Sequence, residues 1–329
     1  MSEKLIWVQR VTEKYLTKRK ARAIAAKAVK KTFKSELLSW LDAIVFAVVF
    51  VLLINQYLFQ LFMIPSPSMV ETLLIKDRVF VNKTSYGIEV YPGGPKIFDS
   101  VFPLRDEVIV FYNPEYESKG PVFDVLSQII YMATFSLVNI DVDEMGNMRQ
   151  RLYVKRAALT EGERAVFENG KLYIGLAASD QLIEEESFRK ESKLSEAPHQ
   201  SSDPELYKGV NAYGKLLAYQ DANISNYSPQ HLLQEYKNIE SYKGPVDYYQ
   251  VDKSRTKTLK QIDPSNLSLR QAAQRYQLGM YVPKEHVLPL GDNRDNSHDG
   301  RYFGPVPYKS IIGKVIFRFW PLGRMGGVS

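Results

Sequence analysis

The sequence predicts a mainly β protein behind a single N-terminal transmembrane helix, its strand-rich part interrupted by an inserted α+β lobe. Three features predict it. A basic tail runs into one apolar stretch long enough to span a bilayer. The remainder breaks into short β-branched and aromatic runs bounded by turn residues. One long polar stretch separates those runs into two groups.

The tail comes first. The 329-residue chain carries a formal net charge of +6, yet residues 1–38 hold eleven Lys and Arg against three acids, which makes that segment +8 and the remainder −2. A nucleic-acid-binding face needs basic residues interleaved with aromatics on a folded surface; here they precede an apolar span, so nucleic acid is excluded as a partner. A basic cluster in that position is a topology signal that stays on the cytoplasmic side. The reading is a basic cytoplasmic tail over 1–37, an anchor over 38–62, and an extracytoplasmic remainder. The protein is then single-pass in the cytoplasmic (inner) membrane, and its remainder is periplasmic where an outer membrane exists.

Within "WLDAIVFAVVFVLLINQYLFQLFMI", Ala43 to Ile54 carries no polar residue, and Ala43–Phe62 supplies 20 residues, enough for a helix to cross about 30 Å of hydrocarbon. A cleaved secretory signal has a short basic lead, a shorter apolar core and a small-x-small exit. This lead is 38 residues long and the exit reads Leu61-Phe62-Met63-Ile64-Pro65, so the span is an uncleaved anchor. Asn55, Gln56 and Gln60 suit an interfacial finish to it.

The strand runs follow: "DRVFVNKTSYG", "DEVIVFYNP", "RLYVKRAAL", "HVLPLGDN" and "IIGKVIFRFW". In "AVFENGKLYIG", Asn169-Gly170 between two such runs predicts a hairpin. They place a core over 63–175 and 278–329. Between the halves, 176–277 is polar, charged and Tyr-rich, with helical character in "HLLQEYKNIE" and "LRQAAQRYQLG". It is an inserted accessory lobe, to which the sequence assigns no chemistry. A second insertion, 113–148, contains the apolar Val122–Ile140. If the strands on either side of it share a sheet, it does not cross the membrane; it is a surface helix in the membrane interface, with a plain buried helix as the alternative.

Several chemistries are excluded. The chain has no cysteine, hence no disulfide or thiolate, and its four histidines (His199, His231, His286, His298) form no H-E-x-x-H pair. Without a Gly-rich phosphate loop or βαβ alternation there is no nucleotide site. No cofactor and no metal is expected.

What remains is Pro65-Ser66-Pro67-Ser68-Met69, directly after the anchor. A serine nucleophile needs a base, and no histidine stands in a triad motif. Lys155 in "RLYVKRAAL" is a candidate if burial lowers its pKa from about 10.4. Strand alternation puts Tyr153 and Ala157 on its face and Leu152 and Val154 on the other. An inward base and a lysine reaching solvent both satisfy this pattern.

The motifs as a set resemble those of bacterial type I signal peptidases (leader peptidases), membrane-bound Ser/Lys endopeptidases. "IPSPSM" with Thr72-Leu73 is similar to the family's serine motif, "LYVKRAAL" to its lysine motif, and "GDNRDNSHDGRYFGPVP" (Gly291–Pro307) to its C-terminal signature, all in family order. The resemblance implies a coiled antiparallel β catalytic core. It implies Ser68 as nucleophile, Lys155 as general base, and the Ser66 hydroxyl with the Ser68 backbone N–H as oxyanion hole. Ser297 would orient the lysine amine, Asp292 with Arg156 and Asp299 with Arg301 would support the site, and Ile64, Pro65, Tyr153 and Val154 would line the substrate pockets. The function implied is removal of signal peptides from exported preproteins at small-x-small sites. Signal peptides, membrane lipid and, transiently, the protein-export channel are the implied partners. Departures fall at Pro67, Glu71, Asp106 and in Leu159–Glu163, and they put pocket shape and substrate breadth at issue. Alternatives are a specialised Ser/Lys peptidase with few substrates and a catalytically silent, membrane-tethered binding module of the same fold.

Overall fold

A computed structural model describes residues 3–28, 33–98, 101–134, 137–146, 148–176, 179, 181–194, 203–224 and 229–328. Its compact units are Met1–Val51 and Leu52–Ser329. The first contains the helix Glu3–Ala28 and most of the helix Phe33–Tyr57. Among the described residues, Glu36–Tyr57 is the one helix long and apolar enough to cross a membrane. Its 22 residues rise about 33 Å, and Leu41, Ile44, Val45, Phe46 and Phe50 are exposed along it.

The helix stops short of the expected boundary at Phe62. Phe59–Met63 is a strand, because its burial alternates with period two and it pairs antiparallel with Arg78–Asn82. Asn55, Gln56 and Gln60 are consequently buried, not interfacial. Gln56 Nε2 donates to the Glu89 carbonyl at 3.0 Å, and the Tyr57 hydroxyl donates to that of Val90.

The second unit is built on an eight-stranded antiparallel sheet. Its order is Phe59–Met63, Arg78–Asn82, Ile311–Trp320, Val108–Tyr112, Leu152–Leu159, His286–Leu290 and Val306–Pro307, with Gly326–Gly327 on Ile311–Trp320. Register shifts within Ile311–Trp320 and at Leu288/Pro289 curl it, as bulges do. The core is thus mainly β, and its two sequence halves interleave: Ile311–Trp320 lies between two strands of the first half, and His286–Leu290 borders Leu152–Leu159. A second sheet orders Met280–Tyr281, Glu163–Glu168, Lys171–Leu176 and Ile183–Glu184. Its hairpin turns at Asn169-Gly170, both with positive φ, with Glu168 opposite Lys171.

Strands Val108–Tyr112 and Leu152–Leu159 pair with each other, so the insertion between them leaves and returns on one side of any membrane. Its helix is Pro121–Ala133, 13 residues or about 20 Å, shorter than the apolar run Val122–Ile140. It is amphipathic in an inverted sense. Asp124 and Ser127 are buried while Val122 and Leu126 are exposed.

The accessory lobe is more helical than the α+β expectation. Among the described residues it holds helices Glu185–Glu191, Pro204–Asp221, Gln230–Glu240, Tyr248–Ile262 and Leu267–Leu278 and the two-residue strand Ile183–Glu184. Pro204–Asp221 lies so close to its neighbours that a Cβ at Gly209 or Gly214 would meet backbone of Gln230–Glu240 or Tyr248–Ile262.

Candidate active site

The serine motif makes one tight turn. Ser66 precedes a 3-10 turn over Pro67–Met69 in which Pro67 occupies the first position, where a fixed φ near −65° is compatible with helix and no N–H is needed. The Pro67 departure therefore fits the local backbone. The turn buries Ser68 and Met69, and Leu73 just beyond is fully buried in the core with Phe62, Ile64 and Val79.

Leu152–Leu159 aims Lys155 at this turn. Strand alternation sorts its side chains as the sequence implied: Leu152 and Val154 pack on the Phe62 cluster, while Tyr153 and Ala157 join Ile109, Phe111 and Val287 on the other face. Lys155 is 3% exposed, and its Nζ lies 2.6 Å from Ser68 Oγ. Ser66 Oγ is 3.3 Å from Ser68 Oγ. Burial pulls the Lys155 ammonium down to about 8, although Asp299 opposes the shift. A lysine in that state is neutral in a useful fraction of molecules near neutral pH.

The C-terminal signature clamps both groups. Arg156 meets Asp292 through two bonds of 2.8 Å, and the Thr72 hydroxyl donates to Asp292 Oδ2 at 2.5 Å. Asn293 N–H donates to the Ser68 carbonyl at 3.0 Å, and its side-chain amide donates to that of Pro67 at 3.2 Å. A Cβ at Gly291 would strike the Ser297 hydroxyl and approach the Ser68 carbonyl oxygen within 2.6 Å. Asp299 accepts from Gly291 N–H at 3.0 Å and from Arg301 Nε at 3.0 Å. Burial pushes the Asp299 carboxyl up, but Arg301, Lys155 and the Gly291 N–H together hold it below the usual carboxylate range.

Ser297 is the exception among the expected contacts. Its hydroxyl is buried with no hydrogen-bond partner among the described residues. The bond to the Lys155 amine implied by the resemblance is not formed in the structure.

The pocket residues divide. Pro65 and Val154 line a cavity of about 280 Å³, together with Phe62 and Leu152 from the core and Gln128 and Asp141 from the 113–148 insertion. Ile64 is a core residue, 2% exposed, and Tyr153 packs against Phe111 and Phe303; neither borders the cavity. Two strands flank it. Among the described residues Phe59–Met63 has Arg78–Asn82 as its one strand partner, and Leu152–Lys155 have Val108–Tyr112.

Sequence reasoning missed the cavity's inserted wall and the lobe's grip on the signature. Arg294 is held by Glu185 at 3.0 and 3.1 Å, and Arg301 lies 3.6 Å from Asp247. Acids in a polar stretch carry no sequence mark of this. The Asp106 departure has the same explanation: at φ 69° it accepts two bonds of 2.8 Å from Arg189 of the lobe. Nothing in the structure explains Glu71, which is exposed. No group of three or more His, Cys, Asp or Glu suited to a metal occurs among the described residues.

A curled antiparallel β core carrying a buried serine–lysine contact defines a class, and comparison with known proteins gives the family. The family model described as "Signal peptidase, peptidase S26" matches residues 37–320. This chain belongs to that family. It is 27% identical to Signal peptidase I of Buchnera aphidicola subsp. Baizongia pistaciae over 85% of this chain and 80% of the relative. It is 25% identical to Signal peptidase I of Helicobacter pylori strain J99 over 86% and 81%. A 46-residue stretch is 56% identical to mitochondrial inner membrane protease subunit 1 of Xenopus tropicalis, over 14% of this chain and 28% of that protein.

Proposed function

We propose that this chain is a membrane-anchored serine endopeptidase that removes signal peptides from exported preproteins, with Ser68 as nucleophile and Lys155 as general base. The observation that carries the reading is the 2.6 Å contact between Ser68 Oγ and a buried Lys155 whose pKa is pulled down to about 8. Neutral Lys155 takes the Ser68 proton as Oγ attacks the scissile carbonyl carbon. The oxyanion that develops meets the Ser68 backbone N–H and the Ser66 hydroxyl, donors that strengthen as charge builds. Lys155, now an ammonium, gives its proton to the leaving amine. Lys155 then takes a proton from water as the water oxygen attacks the acyl carbon, and returns it to Ser68 Oγ as the acyl–Oγ bond breaks.

The substrate reaches the serine as an extended strand between Phe59–Met63 and Leu152–Lys155, with small side chains turned toward Pro65 and Val154. The +8 tail keeps the N-terminus cytoplasmic and the β core outside, close to where an export channel releases its cargo. The exposed apolar side of Pro121–Ala133 rests in the lipid interface. Cleavage of a model preprotein after a small-x-small site tests the reading. Ser68→Ala and Lys155→Ala should each abolish it in folded protein, while replacing His199, His231, His286 and His298 together should leave most activity. A folded histidine-free protein without activity overturns the serine–lysine assignment.

A further inference from the structure

Two cavities are lined by residues next to the serine–lysine centre, and they share no lining residue. One runs past Pro65 and Val154. The other, of about 620 Å³, lies between the lobe segment Lys243–Tyr248 and the core segment that begins at Asp295 and includes Ser297, His298 and Tyr302. Ser297 ties this second groove to the nucleophile, since its hydroxyl and the Ser68 carbonyl oxygen crowd the same point, the place of a Gly291 Cβ.

A peptide that crosses a nucleophile must enter by one side and leave by another. With the acyl side of the substrate assigned to Pro65 and Val154, the groove beyond Ser297 remains for the leaving side. We infer that the inserted lobe forms the leaving-group wall of the active site, and that this groove binds the first residues after the scissile bond as an extended peptide. The inference rests on the Ser68/Lys155 reading above.

Three observations support a built surface over a chance gap. Its walls are joined through a buried phenol: Tyr207 Oη lies 3.2 Å from Asp247 Oδ2 in the lobe and 3.1 Å from Asp295 Oδ1 in the core. Arg301 and the Tyr249–Tyr302 edge contact, 6.1 Å between ring centroids, fix the same junction. Its lining suits a peptide, with Tyr248 and Tyr302 offering ring surface and Lys243 an exposed charge. The Ser297 hydroxyl, buried and unpartnered among the described residues, marks the end nearest the nucleophile. Lys243 makes the far end favour an acidic side chain on the leaving segment.

The test uses the full chain in detergent and two substrates with identical residues before the scissile bond. One continues for six residues after it; the other ends in a chromogenic aryl amide with none. Tyr248→Ala and Lys243→Glu lie on the exposed wall, outside the catalytic groups. Tyr248→Ala should lower kcat/KM on the long peptide by about tenfold, mostly through KM, and leave the aryl amide unchanged. Lys243→Glu should exchange a preference for acidic leaving segments for one for basic segments. Equal rates with wild type on both substrates, or equal losses on both, would overturn the leaving-side assignment. Failure of the serine–lysine reading looks different: wild type would cut neither substrate, or Ser68→Ala would still cut.

Discussion

Arg156 and Asp292 face each other through two parallel bonds of 2.8 Å, Nε to Oδ1 and Nη2 to Oδ2, and both side chains are buried. Arg156 follows Lys155 on its strand, and Asp292 precedes Asn293, whose N–H holds the Ser68 carbonyl. The pair therefore joins the strand carrying the base to the loop carrying the nucleophile's clamp. Removing one partner leaves a buried charge alone, which costs about 3–5 kcal/mol. Arg156→Met or Asp292→Leu should each destabilise the protein by that order and end cleavage. The double substitution should recover much of the stability but not the activity. Thermal unfolding with a parallel cleavage assay reads both, and single variants with wild-type stability would show that the pair holds nothing.

Activity should depend on pH through Lys155. The amine must be neutral to accept the serine proton, and burial sets its folded value at about 8. The rate should therefore rise with pH through a midpoint near 8 and fall about tenfold per pH unit below it. A pre-steady-state acylation rate measured from pH 6 to 10 isolates the step. An acid limb centred near 10.5 means that the base is not a buried lysine.

Much of this site was legible because its chemistry sits in short contiguous motifs. Ser68, Lys155 and Asp292 each lie in a run that orders its own neighbourhood, and the strand alternation around Lys155 follows from one stretch of apolar residues. What was hidden depends on distant partners. Phe59–Met63 continues an apolar run, and only its pairing with Arg78–Asn82 makes it a strand. The helix Pro204–Asp221 buries Gly209, Ala212, Gly214 and Ala218 beside Leu206, Tyr207 and Val210, and an apolar period does not reveal the close helix approach that those small residues permit. Glu185 and Asp247 resemble solvated acids until Arg294 and Arg301 are placed against them. The expected bond between Ser297 and Lys155 failed for a related reason. A motif identifies a hydroxyl but does not fix which partner it faces.

Gly291 should be intolerant of any side chain. A Cβ there would meet the Ser297 hydroxyl and the Ser68 carbonyl together, and the buried clamp around it leaves neither room to move. Gly291→Ala should displace Ser68 from Lys155 and lower cleavage by at least 100-fold, since misplacement by about 1 Å costs that much. Trapping of Ser68 by a generic serine-reactive fluorophosphonate would fall in parallel. Full labelling at the wild-type rate would show the turn undisturbed.

Topology tests the insertion. Strands Val108–Tyr112 and Leu152–Leu159 share a sheet, so Asp143 between them lies on the same side of the membrane as Ser329. Reporters inserted at Asp143 and fused after Ser329 should both read extracytoplasmic, and one near Lys30 cytoplasmic. A cytoplasmic reading at Asp143 would mean that the insertion crosses the bilayer and the sheet is wrong.

The buried lysine should also cost stability, and the cost should vanish with pH in a defined window. Lys155 has a folded value of about 8 against the ordinary lysine value of 10.5. Below pH 8 both folded and unfolded chains carry the proton, and the folded protein bears the whole cost of burying the ammonium, about 3 kcal/mol. Between 8 and 10.5 the unfolded chain binds a proton that the folded chain does not, so stability from this group rises with pH. Above 10.5 both are neutral and the cost is gone. Lys155→Met replaces the amine with an unbranched apolar side chain that does not titrate. It should be inactive yet more stable than wild type at pH 7 by up to about 3 kcal/mol, less whatever Asp299 loses with its cationic neighbour. The advantage should shrink steadily from pH 8 to 10.5. Denaturant unfolding of both proteins in detergent at pH 6, 7, 9 and 10.5 measures it. A variant less stable than wild type at pH 7, or a difference flat across the range, would mean that the fold does not hold Lys155 as a depressed, buried base.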